Sequence, residues 1–226
     1  MLMQFLNTYQ IFKNQLANKQ IALTEIIRGI VFNQETAANI TLELLKTRLL
    51  KVTKNFHHQE IEDRISVIYE LEQFYQTYPQ YHCQIMSILA QFVQNYANDL
   101  KRDEWNSNQL QIIPREIQIA LTVIGSRNTP QDEEEEQLDL SYTDMRGANL
   151  HQAYLELTNL YQVNLSGANL SGANLCGAIL SAANLSGANL TGANLQEANL
   201  YLANLHNATL SDAILKGANL REAKFN

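Results

Sequence analysis

"NLSGANLSGANLCGAILSAANLSGANLTGANL", residues 164–195, places leucine at every fifth position. In "SGANL" the Ala and the Leu are two residues apart, so in an extended segment they point the same way and the Asn between them points the other. Five is odd, however, so a straight strand would throw successive leucines to opposite sides. A helix would rotate each by about 140° from the last. Only a corner in every repeat keeps all the leucines inside. The two positions after each Leu supply it, as Ser166-Gly167, Ser171-Gly172, Ser186-Gly187 and Thr191-Gly192, residue types that tolerate tight turns and left-handed φ.

A corner of about 90° closes a square coil in four repeats, so coils of roughly 20 residues stack at the inter-strand spacing of about 4.8 Å. The inward centre runs every five residues from Leu140 through Met145 and Leu150 to Leu220 and Phe225, and none is polar. Two positions before each centre stands Ala, with Leu138, Thr143, Thr158 and Val163 as exceptions in the early coils. Small residues there let four leucines fill the lumen.

These units, read as "AANLS", "GANLT", "EANLY" and "LANLH", resemble the pentapeptide-repeat family. The resemblance covers residues 138–226 and implies a right-handed quadrilateral β-helix, here of four to five coils. It also supplies the handedness, which the steric argument does not. The segments "ISVIYELEQFYQTYPQYHCQIMSILAQFVQNY" and "PREIQIALTVIGSR" are similar to the helical N-terminal part of certain cyanobacterial members.

Upstream, apolar residues recur at helical spacing: Phe5, Tyr9, Phe12 and Leu16; Ile61, Ile65, Ile68 and Leu71; Ile85, Ile88, Leu89, Phe92 and Tyr96. The pattern predicts an all-α bundle of about six helices. Pro79 and Pro114 open helices, and Gly125 closes the last as a C-terminal glycine. The predicted organisation is a two-domain α + β chain: an α-helical domain over 1–128, an acidic linker over 129–137 carrying Asp132 to Glu136, and the repeats over 138–226. A solenoid's first coil exposes an apolar end and unpaired backbone, so the helical domain is expected to cap it, with the segment ending at Ile124 over Leu140, Met145 and Leu150. At the other end, either Phe225 plugs the last coil or the coil pairs with a second molecule, giving a homodimer.

A net charge of −7 over 226 residues argues against nucleic acid as a partner. The N-terminus lacks both a basic start and a continuous apolar core, so neither a signal peptide nor a membrane span is expected. Cys83 and Cys176 fit no disulfide or metal spacing, which reads as a cytoplasmic protein with free thiols.

With the lumen full, function must lie outside. Two walls present asparagine, serine and histidine. The other two, which are adjacent, point Tyr154, Leu157, Tyr161, Ile179, Tyr201, Leu202 and Ile214 outward, with Cys176 among them. Contiguous apolar and tyrosine surface marks a contact, so these seven form the candidate strip for an unidentified protein partner. Catalytic, cofactor and metal residues are expected to be none: His206 beside Ser186 on a flat wall lacks an orienting group and a pocket, and His57, His58, His82 and Cys83 match no closed metal site. The reading is a non-catalytic interaction module or scaffold. The alternative, a DNA-mimicking topoisomerase binder, comes from the resemblance alone. It is disfavoured by six acids against four bases in residues 138–226, a net charge of −2, and by the short stack.

Overall fold

The computed structural model describes residues 34–53, 61–100, 113–127 and 137–225. Two compact units are present, Met1–Leu44 and Leu45–Asn226. That boundary falls within helix α1 (Gln34–Thr53) and not at the acidic run. Residues from Ile61 onward therefore form one body with the repeats. Residues Asp132–Glu136 and the stripe Phe5–Leu16 lie outside the described residues.

Among the described residues there are four α-helices, α1, α2 (Ile61–Thr77), α3 (His82–Leu100) and α4 (Arg115–Gly125), with a 3₁₀ turn at Pro79–Tyr81. Helix α2 buries Ile65, Ile68 and Leu71. Ile61 is 44% exposed, so the stripe starts one turn later than its spacing suggests. On α3 the buried set is Ile85, Met86, Leu89, Phe92 and Val93, while Ile88 and Tyr96 are only half-buried. Helix α4 packs against both and buries Ile117, Ala120, Leu121 and Ile124 completely. Within this core Arg64 donates to Glu116 from Nη2 at 2.8 Å and from Nε at 3.2 Å, and both side chains are buried.

Residues 137–225 form the square coil. Bridges join residues 20 apart, from Asp139↔Asn159 through Asn204↔Lys224, all parallel. Each five-residue wall contributes one bridging residue, so the walls are isolated bridges instead of extended strands; a corner every fifth residue leaves room for no more. The centres from Leu140 to Leu205 donate their N–H to the next coil, as Leu165 to Asn184 O at 2.8 Å, and bridging residues from Asn159 onward donate back, as Asn164 to Thr143 O at 2.9 Å. Corners close by a bond such as Ala168 N to Leu165 O, 3.0 Å, with Gly167 at φ +67°, the geometry that a type II turn requires at its third residue.

Most of the asparagines are explained by two side-chain bonds. Asn169 Oδ1 accepts from Ser171 N at 3.2 Å, and Asn169 Nδ2 donates to Asn149 Oδ1 one coil earlier at 3.2 Å. Asn184 on Asn164, Asn204 on Asn184 and Asn194 on Asn174 repeat the ladder. The centres from Leu140 to Leu205 are buried, as are Leu138, Thr143, Thr158 and Val163, the four that replace alanine.

Helix α4 stands in for the coil that would precede the first. Gln118 offers its side-chain amide as a strand would, donating to Asn149 O and accepting from Asn149 N, both at 2.8 Å. Gly125 O accepts from Tyr154 N at 2.9 Å. Arg127 then holds Tyr154 O, Glu156 O and Thr158 Oγ1 at 2.8–2.9 Å. Gly125 does end α4, but for a different reason from the one its position suggests: its φ is not positive, and a Cβ there would lie 2.8 Å from Ala153 Cβ. Close approach to the coil requires the glycine.

Candidate functional site

We number the walls by their centres: wall 1 holds Leu140, Leu160, Leu180, Leu200 and Leu220, and walls 2, 3 and 4 follow from Met145, Leu150 and Leu155. The corner after wall 1 carries Tyr142, Gln162, Ala182, Leu202 and Glu222, all with φ between 52° and 60°. No glycine occurs there. In the same conformation, the corner after wall 2 has glycine at three of four positions, and those after walls 3 and 4 at two of four each. A left-handed non-glycine residue costs about 1–2 kcal/mol, so this corner carries at every coil a conformational cost that the others carry at half of their positions or fewer.

Wall 1 and its corner gather most of the strip. Tyr161 is half-buried and packs edge to face on Tyr142, with ring centroids 5.4 Å apart. Two coils on, Tyr201 is also half-buried and its hydroxyl donates to Glu222 Oε1 at 3.5 Å. Ser181 lies buried between them in the same column. Ile179 is half-buried in the asparagine ladder, bridging Asn159 and Asn199. Leu202 is exposed beside Tyr201.

Around the corner, Leu157 is 62% exposed and lies over Gly177, where a Cβ would come within 2.7 Å of its Cδ2. Tyr154 is exposed on wall 4, its backbone held at both ends by the cap. Ile214 does not join them. It shares Tyr154's column but stands three coils away, with the bonded pair Asn174 and Asn194 between. Tyr142, 54% exposed, was missed by the sequence reading although it occupies the same corner position as Leu202.

Cys176 sits on the column of Glu156 at the corner between walls 4 and 1. Partial burial first, then Glu156 and Glu197, push its thiol above the usual range, so it stays protonated at neutral pH.

The histidine–serine contact occurs at a different pair from the one expected: His151 Nδ1 is 2.8 Å from Ser171 Oγ. Ser171 Oγ donates to Asn169 Oδ1 at 2.7 Å, so His151 Nδ1 serves as the donor to the serine. That is the reverse of a base accepting a nucleophile's proton. His57 and His58 lie outside the described residues. Among the described residues no three His, Cys, Asp or Glu side chains gather as a metal site, and no helix is long and apolar enough to cross a membrane.

The pentapeptide-repeat family model matches in eight copies over residues 136–172, 158–196, 168–207 and 188–226. Residues 136–226 belong to the pentapeptide-repeat family. Solved structures similar to the chain include a pentapeptide-repeat protein from the cyanobacterium Cyanothece 51142, 39% identical over 42% of this chain and 64% of that one, TM-score 0.41. A pentapeptide-repeat protein of the Arabidopsis thaliana thylakoid lumen is 33% identical over 38% and 60%, TM-score 0.37. QnrB1, a plasmid-mediated fluoroquinolone resistance protein, is 22% identical over 40% and 59%, TM-score 0.20. The chain thus spans less than two thirds of each of these structures. No curated protein matches it. The family's fold is a right-handed β-helix, and the 20-residue bridge register is that of its four-walled form.

Proposed function

We propose that the pentapeptide repeats are a non-catalytic interaction module that presents wall 1 and its two bordering corners to a protein partner. The observation that carries this reading is the concentration of Tyr142, Tyr161, Tyr201 and Leu202 on the corner whose left-handed position is never glycine, a position that Tyr142 and Leu202 themselves hold. Strain of this kind persists only where the surroundings enforce it and clusters at functional sites. Tyrosine supplies large contact area at low cost in side-chain entropy. Walls 2 and 3, covered by asparagine ladders and serine, offer no comparable surface. The partner strip is Tyr154, Leu157, Tyr161, Ile179, Tyr201 and Leu202, with Tyr142 added and Ile214 set apart.

The test compares the intact chain with a Tyr161→Ser/Tyr201→Ser variant. Thermal unfolding checks that the solenoid survives, and crosslinking in extract from the source organism reports the contact. Retention by the intact chain and loss by the folded variant support the module; equal recovery from both overturns it. Self-association through the last coil belongs to the same proposal, since Leu210, Leu215 and Leu220 are half-exposed and Phe225 is 46% exposed. Light scattering on the intact chain and on Phe225→Asp distinguishes dimer from monomer.

A further inference from the structure

We infer that the occupant of this face is a cationic, apolar segment of a partner protein, an inference that rests on the interaction reading above. Up to Leu202 the charges around the strip are one-sided. There, walls 4 and 1 and their corners (139–142, 154–162, 174–182 and 194–202) carry Asp139, Glu156 and Glu197 and no lysine or arginine; the first bases of the repeats on these walls, Lys216 and Arg221, come one coil further on. None of these three acids forms an ion pair among the described residues, whereas Asp144, on wall 2, is held by Arg146 at 2.7 Å. Arg127 comes down on the rim beside Tyr154, but its guanidinium is directed at the Tyr154 and Glu156 carbonyls and Thr158 Oγ1.

The acids are interleaved with the apolar groups. Glu156 adjoins exposed Leu157; two coils on, about 9.6 Å at the stacking distance, Glu197 marks the same corner. Between them lie Cys176, Gly177 and Ile179. The thiol's upward shift, to which both glutamates contribute, reports the same negative field. A neutral apolar partner covering this face would bury carboxylates without counter-charges, and an acidic one would add repulsion. Lysine or arginine side chains about 10 Å apart on the partner, which an amphipathic helix offers at positions i and i+7, would answer Glu156 and Glu197. Its apolar side would cover Leu157, Tyr161 and Ile179. The same charge disfavours nucleic acid and anionic lipid as occupants.

The test uses two synthetic amphipathic helical peptides with identical leucine and tryptophan content, one bearing lysine and arginine and the other glutamate. They are titrated against the full chain, in which Asp132→Asn and Gln at 133–136 remove the attraction of the acidic run. Amide chemical shifts locate the site, and affinity is measured at two salt concentrations. The expected result is that the cationic peptide binds at least about tenfold more tightly, a difference of about 1.4 kcal/mol. It shifts the signals of residues 156–161 and 177–182, and weakens with salt and with Glu156→Gln/Glu197→Gln while the melting temperature holds. Equal binding of both peptides, abolished by Tyr161→Ser/Tyr201→Ser, overturns the cationic assignment and leaves the interaction face standing. Cationic binding that is absent, or unchanged by the glutamine pair, also overturns it.

Discussion

Backbone conformation at the corner residues is where local chemistry and surface meet. Ala182 occupies a left-handed position at φ 55° with no large side chain to present. Ala182→Gly is therefore expected to stabilise the solenoid by up to about 1 kcal/mol, raising the melting temperature, because relief of left-handed strain outweighs the added chain entropy. The reverse change at Gly167, φ +67° with nothing within 4 Å of the place a methyl would take, isolates the strain from any clash: Gly167→Ala should cost about 1 kcal/mol. Unequal signs in the two melting curves confirm the argument; two losses would refute it. A second residue-scale effect is Tyr96, whose phenol is pushed up to about 12 by burial, then by Glu116 and Asp144, with Arg64 opposing. The folded state holds this proton more tightly than the unfolded chain does. Its stabilising contribution is thus complete below pH 10 and is lost as pH rises toward 12. Spectrophotometric titration should show a late-titrating phenol that is absent in Tyr96→Phe.

Helices α2, α3 and α4 depend on a feature that periodicity does not reveal. Apolar spacing marked Ile65, Ile68 and Leu71, yet Arg64 and Glu116, two ordinary helix-surface types 52 residues apart, are buried together. Nothing in one sequence distinguishes them from the exposed pair Glu62 and Arg115 on the same helices. Arg64→Met alone should cost about 3–5 kcal/mol by leaving a buried carboxylate unpaired, and Arg64→Met/Glu116→Leu should recover most of it. Denaturant midpoints of the two variants and the parent decide the point. Legibility differed by element for a physical reason. The five-residue period is enforced by every corner and every ladder, so the coil could be read from "SGANL" alone. Surface exposure depends on which side chain a neighbouring coil happens to place beside it. Tyr142 shows this: its ring gains Tyr161 of the next coil as an edge-to-face neighbour, which spacing alone does not report.

For the whole molecule, the docking of α4 on the first coil converts a sheet edge into an interior row. In a free-standing stack the first coil would fray, since its Asn149 and Tyr154 amides would face solvent. Here Gln118 Oε1 and Gly125 O accept those protons. At the far end the Leu210, Leu215 and Leu220 amides have no backbone acceptor among the described residues, and their side chains are half-exposed. Hydrogen exchange should therefore be asymmetric along the axis: slow at Tyr154 and through the middle coils, fast at the last centres. Gly125→Val should reverse that order. Its side chain would meet Ala153 Cβ and Cα, which cannot yield, so α4 must lift away from the coil, at about 1–3 kcal/mol. Tyr154 and Asn149 would then exchange as fast as Leu215, and Tyr161 and Tyr201 in the coils below would lose the rigid base that a preformed interaction face requires. If Tyr154 stayed protected in the valine variant, the cap would not be what shields the first coil.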